Sequence, residues 1–236
     1  MTPTAPCSPI YGARRQTTMV DFPGRIAGVT FTTGCNFGCG FCHNAALLRE
    51  RRAGYTWKKL REVCERFRKQ WATGVVITGG EPTLAPAIGE TIAFIRHLGF
   101  AIKLDSNGSR PDVLEQLLPM VDYVAMDIKC ALPNYATFVD FPGTDKIQAS
   151  IQLIMEQASD YEFRTTVIDG IHTPEEAHLV GELICGAKRH YSQPFVPRED
   201  LPDPELAKKP RTNPDIVHAF AAIVEQYVET AESRNA

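Results

Sequence analysis

The chain has 236 residues, 44% of them hydrophobic and 22% charged, with a formal net charge of −3. That charge gives no basis for backbone-driven nucleic-acid binding, and no run approaches the roughly 18 apolar residues that span a bilayer. The opening MTPTAPCSPIYGARR lacks a continuous apolar stretch, so we expect no signal peptide and a cytoplasmic protein with neither nucleic acid nor membrane as partner.

AGVTFTT (27–33) reads as a strand and leads into GCNFGCGFCHN (34–44), where three of the seven cysteines fall within eight residues. Helical spacing follows at Trp57, Leu60, Cys64, Phe67 and Trp71. VVIT (75–78) is a β-branched strand run. Ile88, Ile92 and Ile95 mark a helix that Gly99 can end in a left-handed cap. AIKLDSN (101–107) and YVAMDIK (123–129) are strands, with a short helix at most over 111–119 between them. Residues 143–159 are expected to be helical and EFRTTVI (162–168) a strand.

Thr173-Pro-Glu-Glu176 is a capping box with Pro at the first helical position. Leu179, Val180, Leu183 and Ile184 carry the helix it opens. YSQPFV (191–196) is a weaker strand because of Pro194. A Pro-rich loop (197–214) follows, and Asn213-Pro214-Asp215 starts the last helix, with Phe220, Val224 and Tyr227 on one face.

Strands alternating with helices pair in parallel through right-handed crossovers. The expected fold class is α/β, a partial (βα)6 TIM-like barrel short of eight units. We expect a single domain over 1–236, with its core at about 20–196 and a Pro-rich loop plus C-terminal helix at 197–236. Polar residues gather where the strands end: Gly79-Gly80-Glu81, Asp105-Ser106-Asn107, Asp127 with Lys129, and Arg164 with Thr166. Ligands of barrel-like α/β folds bind at that edge.

An odd cysteine count in a reducing compartment argues against a disulfide framework. Cys7, Cys64, Cys130 and Cys185 are scattered and read as small buried hydrophobes. His97, His172, His178, His190 and His218 show no ligand spacing and read as surface or rim residues. For Cys35, Cys39 and Cys42 a closed zinc site needs a fourth ligand. The C-x-x-C-H haem pattern leaves Cys35 unexplained. The C-x3-C-x2-C spacing suits an iron–sulfur cubane, in which three thiolates take three irons and leave the fourth open.

Cys35-Asn-Phe-Gly-Cys39-Gly-Phe-Cys42 resembles the cluster motif of the radical SAM enzymes. The resemblance implies a 4Fe–4S cluster on Cys35, Cys39 and Cys42, with its open iron chelated by S-adenosylmethionine (SAM). In that family one electron from the cluster cleaves the sulfonium and yields a 5′-deoxyadenosyl radical; such chemistry belongs to the cofactors, which the protein positions and shields. Phe41 is implied near the adenine, and His43 falls in the same cofactor-binding set. Gly79, Gly80 and Glu81 resemble the family's GGEP stretch, which receives the SAM ammonium. Asp105-Ser106-Asn107 and Asp127-Ile128-Lys129 resemble stretches that help to hold SAM, and Arg164 can reach a carboxylate bidentately. Asp127 and Lys129 share one face by period-two spacing.

MVDFPGRIAGVTFTTGCNFGCGFCHN (19–44) is similar to glycyl-radical-activating enzymes, nearest to the activating branch of anaerobic (class III) ribonucleotide reductase. This implies hydrogen abstraction from a glycine Cα of a partner glycyl radical enzyme, with a flavodoxin or ferredoxin as electron donor. The pyruvate formate-lyase activating branch is similar but places a His near its last strand, where this chain has Gln193 and Phe195. Two other readings stand: a small-molecule reaction of the 7-carboxy-7-deazaguanine synthase type, and a metal-binding or electron-carrier module that consumes no SAM.

Overall fold

Runs of β-branched residues become strands, and each helical repeat between them becomes a crossover. The computed structural model describes residues 3–48 and 52–234; residues 1–2, 49–51 and 235–236 of the expected 1–236 domain lie outside the described residues. Strand β1 (Gly12–Ala13) lies antiparallel to β2 (Ala27–Thr32). Helices α1 (Ala45–Leu48) and α2 (Trp57–Lys69) lead to β3 (Gly74–Gly79), and α3 (Ile88–His97) to β4 (Ala101–Ser106). Helix α4 (Pro111–Leu117) precedes β5 (Tyr123–Asp127); α5 (Tyr135–Phe138) and α6 (Thr144–Gln157) precede β6 (Tyr161–Val167). Helix α7 (Pro174–Leu183) leads to β7 (Arg189–Pro194), then come α8 (Pro204–Lys208), α9 (Pro214–Val224) and β8 (Thr230–Ser233).

The sheet runs β1 to β8 in chain order, and every pairing after the first is parallel. Strands β2–β7 are the six units the sequence predicts. Among the described residues no pairing joins β1 to β8, so the barrel is open on one side. The two flanking strands were not foreseen. Two residues are too few to show alternation, and Thr-Ala-Glu-Ser carries almost no apolar signal.

Alternate residues face opposite sides of the sheet. Ala27, Val29, Val76, Tyr123 and Ala125 gather on one face with Phe22. Ile77, Ile102, Leu104, Val124 and Phe163 belong to the larger core, which includes Leu60, Phe67, Ile92, Ile151 and Ile154 of the helices. Burying one such side chain contributes about 1.5–3 kcal/mol. Gly28 allows α2 to lie close: a Cβ there would sit 2.1 Å from the Phe67 ring.

Several expectations need correction. Trp71 does not continue the buried face of α2. It lies two residues past the helix with φ 65° and is 81% exposed. The left-handed backbone costs a bulky residue about 1–2 kcal/mol, and little is buried there in return. Trp71→Gly is therefore expected to stabilise the protein by about 1 kcal/mol, read as a rise in thermal midpoint; no rise would show that the ring makes a contact in solution that offsets the strain.

Leu179 points to solvent, while Val180 and Ile184 are buried. Thr173 caps α7 by accepting the Glu176 N–H, but Glu176 does not reach back. Its carboxylate accepts from Ala131 N–H and the Asn134 amide instead. Within the Pro-rich loop Asp203 caps the short helix α8. Cys64 and Cys130 are buried as expected, whereas Cys185 is exposed and Cys7 half-buried. His172 and His190 are core residues rather than rim ones. His172 Nε2 bonds the Lys129 carbonyl, and its Nδ1 accepts from Ile168 N–H. His190 Nε2 bonds Thr165 Oγ1. Among the described residues no helix is long and apolar enough to cross a membrane.

Candidate active site

The cysteine loop leaves the end of β2 and is pressed between three neighbours. Its start runs against the end of β3: Gly80 N–H donates to Thr32 O (3.1 Å) and Glu81 N–H to Gly34 O (2.8 Å). A Cβ on residue 80 would stand 2.1 Å from Gly34 O, and Gly79 holds φ +123°. The Gly-Gly pair is thus first a requirement of backbone meeting backbone. The middle of the loop meets the segment after β5, where Gly38 N–H donates to Val139 O (2.7 Å). Phe37 packs on Phe141 with centroids 4.7 Å apart, and Phe41 stacks on Phe138 at 5.1 Å. The third neighbour is the segment after β7, reached at Gly40.

A cleft of about 380 Å³ opens at this sheet edge. All three loop cysteines line it, as do Phe41, His43 and residues Gly79 to Glu81. Asp105, Ser106, Asn107, Asp127, Lys129 and Arg164 form its other walls. Of the candidate residues only Ile128 stays out. Its side chain is fully buried, and its N–H donates to Arg164 O (2.8 Å).

Glu81 differs from the expected cation receiver. It is 1% exposed, and its carboxylate accepts Thr83 N–H, Thr83 O–H, Ser106 O–H and Asn107 N–H. Burial nonetheless pushes its pKa up. The side chain ties the end of β3 to the end of β4, so Ser106 and the Asn107 backbone are engaged from within. The Asn107 amide bridges to Asn36 Oδ1 (3.1 Å) and reaches Cys35 Sγ (3.7 Å). His43 Nε2 meets Val196 O at 2.8 Å, and Asn44 donates to Gly79 O (2.9 Å).

The charges form one chain of pairs. Lys129 Nζ lies 2.8 Å from Asp127 Oδ2, and Arg164 Nε 2.9 Å from Asp127 Oδ1. Arg164 Nη2 approaches Asp105 (3.6 Å), and Lys103 Nζ bonds it at 2.7 Å. Deeper in the barrel Glu162, fully buried, takes Arg234 in a fork (2.9 and 3.1 Å) and the Tyr123 hydroxyl (2.9 Å). Burial alone would raise the Asp127 and Asp105 pKa values. Arg164 with Lys129, and Arg164 with Lys103, outweigh it and hold both carboxyls below their usual range. Burial depresses the Lys129 pKa, but Asp127 and Cys39 more than reverse this.

Sequence reasoning missed Lys103, Glu162, Tyr123 and Arg234. The signal was present: Lys103 precedes Asp105 and Glu162 precedes Arg164 by two residues, and so each shares its face.

The donor set fits an iron–sulfur cluster. Burial raises all three thiol pKa values, Cys39 to about 12, while Lys129 pulls each of them down. Phe37 N–H also points at Cys35 Sγ (3.5 Å). Such thiols ionise when a metal centre supplies positive charge. Among the described residues no three His, Cys, Asp or Glu side chains converge on a single-ion site.

The family model of the radical SAM superfamily matches residues 29–181. A Methanocaldococcus jannaschii protein provisionally named a glycyl-radical enzyme activating enzyme is 30% identical over 223 residues, 91% of each chain. A 7-carboxy-7-deazaguanine synthase of Methanopyrus kandleri is 26% identical, covering 64% of this chain and 70% of its own. Among solved structures, Streptococcus suis SuiB bound to S-adenosylmethionine superposes with a TM-score of 0.69 at 13% identity. That match covers 86% of this chain and 49% of SuiB, and it speaks to the fold alone.

Proposed function

Since the chain belongs to the radical SAM superfamily, whose enzymes use a 4Fe–4S cluster and SAM, we propose that it is a glycyl-radical-enzyme activating enzyme. Its protein substrate is a glycyl radical enzyme, anaerobic ribonucleotide reductase first among them, and a flavodoxin or ferredoxin supplies the electron. The observation that carries this reading is the end-to-end match: a relative with an activating-enzyme name covers 91% of both chains. When bound, the cofactors supply reductive cleavage of SAM and a carbon radical able to take a glycine Cα hydrogen.

The chain's own residues hold and orient. Cys35, Cys39 and Cys42 would hold the cluster. The carbonyls of Gly80 and of Gly79, which also accepts from the Asn44 amide, would receive the SAM ammonium, because the Glu81 carboxylate is already spent on four internal bonds. Lys129, held in place by Asp127, which is itself fixed by Arg164, would face the anionic end of SAM. Phe41, backed by Phe138, offers its ring to the adenine. Asp105, Ser106 and Asn107 form the wall that adjoins the start of the cysteine loop through Asn107 and Asn36, and His43 braces the loop's far end through Val196 O. The open side of the sheet gives an extended glycine-bearing loop a way in.

The test begins with anaerobically reconstituted protein, dithionite and SAM. 5′-Deoxyadenosine and methionine should form. Added class III reductase should then gain an organic-radical signal that is lost when its target glycine becomes Ala. Lys129→Ala should still load iron but bind SAM at least tenfold more weakly, the loss of about 1.4 kcal/mol; unchanged SAM affinity would remove Lys129 from the site. Deoxyadenosine without a radical on any glycyl radical enzyme would sink the activating role. It would favour the second reading, which the deazaguanine synthase match supports: hydrogen abstraction from a small heterocycle.

A further inference from the structure

Beyond the Val196 carbonyl that meets His43, the Pro-rich segment between β7 and α9 has no role in the reading above, although it touches the cysteine loop. We propose that residues 196–212 are a strap that fixes the outer side of that loop and bars oxidant from the cluster, with Asp203 and Leu206 as positioning residues. The proposal rests on the family's cluster, not on the identity of the partner.

Both ends of the strap are tied down. Phe195 N–H donates to Val167 O (3.0 Å), and Val196 O meets His43 Nε2 (2.8 Å). Thr212, 2% exposed, donates its N–H to Phe195 O (3.0 Å) and its hydroxyl to Val167 O (2.7 Å). Lys209 Nζ donates to Asp169 O (3.2 Å). The ends therefore meet at the tip of β6, and the chain between them is an excursion. Its four prolines, at 197, 202, 204 and 210, each fix φ and stiffen it.

The excursion comes down on one spot. Asp203 N–H donates to the carbonyl of Gly40 (3.1 Å), the residue next to Cys39. A Cβ on residue 40 would stand 2.8 Å from Asp203 Cβ and 3.3 Å from Leu206 Cδ1. Leu201 and Leu206 are each 7% exposed, though they lie on a loop rich in charge. A merely connecting loop needs neither that burial nor a bond to a loop 163 residues earlier in the chain. Gly38 holds the other side of the loop through Val139. Cys39 between them is left 7% exposed.

The experiment uses reconstituted full-length protein and three variants: Leu206→Ala, replacement of residues 203–208 by a Gly/Ser linker of equal length, and Val180→Ala. Val180 is buried on α7 and does not belong to the strap, so this last variant controls for lost core packing. Each is matched for iron, then diluted into aerated buffer, and loss of the visible cluster absorbance is followed together with iron release to a chelator. Leu206→Ala should bleach about tenfold faster than wild type, the effect of about 1.4 kcal/mol lost from the contact. The linker variant should bleach faster still, and Val180→Ala at the wild-type rate. Bleaching of Leu206→Ala at the wild-type rate overturns the proposal, even where the linker variant fails to load iron. Equal acceleration in Val180→Ala also overturns it, because global softening would then be the cause. Wild-type protein that takes up no iron is a different failure, one that faults the cluster itself.

Discussion

Cys39→Ala protein is expected to lose the 4Fe–4S cluster and, with it, all SAM cleavage above background. Cys39 is the least exposed of the three loop cysteines at this edge. It belongs to the buried core with Phe37, Phe41 and Leu206, and its thiol is pushed to about 12 by burial. Without its sulfur one iron of the expected cluster would lose its ligand, and a Cys39→Ala/Cys130→Ala double variant checks that the buried Cys130 thiol, which feels the Cys39 charge, does not stand in for it. Iron content, visible absorbance and deoxyadenosine yield should fall together, while the apo fold remains because the loop keeps its backbone bonds to Glu81 and Val139. Cys64→Ala should keep both the iron and the chemistry, since Cys64 is buried on α2 in the core. A Cys39→Ala protein with full iron and full deoxyadenosine yield would refute the ligand assignment.

Arg164→Leu should cost about 3 kcal/mol of stability at pH 7, the lower end of the range for a buried pair losing one partner. The lower end applies because Asp127 keeps 32% of its side chain exposed. Arg164 serves Asp127 at 2.9 Å and Asp105 at 3.6 Å. Without it Asp127 keeps only Lys129 and Asp105 only Lys103. The pH dependence separates this from simple loss of packing. In the wild type both carboxyls titrate below their ordinary range of about 4. Their stabilisation is complete above that range and is lost as pH falls through the depressed values. In the variant burial acts against a weaker cation field, so the carboxyls rise and the stabilisation is already reduced at neutral pH. The gap between the two proteins in urea unfolding should therefore be widest near pH 7 and narrow below pH 4. A gap of constant size across that range would mean that Arg164 acts through shape alone. SAM affinity should fall as well, since Lys129 would lose the Asp127 geometry that aims it.

The sequence was most readable where one period ruled. Ile88, Ile92 and Ile95, closed by Gly99, mark α3 within a residue or two, and VVIT could hardly be other than a strand. The site was readable because strand-end polar residues must meet at one edge once strands run parallel, and Cys35, Glu81, Asp105, Asp127 and Arg164 do meet there. Failures came where a tertiary partner overrode the local pattern. Glu176 sits at the capping-box position but is taken by Ala131 and Asn134. His190 looks like a rim residue until Phe220 of α9 covers it. Trp71 fits the helical phase of α2, yet the helix ends at Lys69. Helix α8 had its start signal in Asp203-Pro204-Glu205, but the density of prolines around it suggested only loop. Ile128 was carried into the site by its neighbours in the motif, and the strand's alternation turns it away.

The sheet's order has a consequence for how the chain is made. Because each strand lies beside the one before it in sequence, a growing polypeptide can add one βα unit at a time to the edge already formed, with no gap to be filled later. Synthesis favours such N-terminal-first assembly. A buried ion pair runs against that order. Glu162 emerges on β6, yet the fork that neutralises it comes from Arg234. Until residue 234 clears the ribosome, a carboxylate destined for full burial has the weaker fields of Arg164, at 3.9 Å, and Lys103 but no hydrogen-bonded cation. The nascent barrel can assemble up to β7, but its floor stays wet until the last strand arrives.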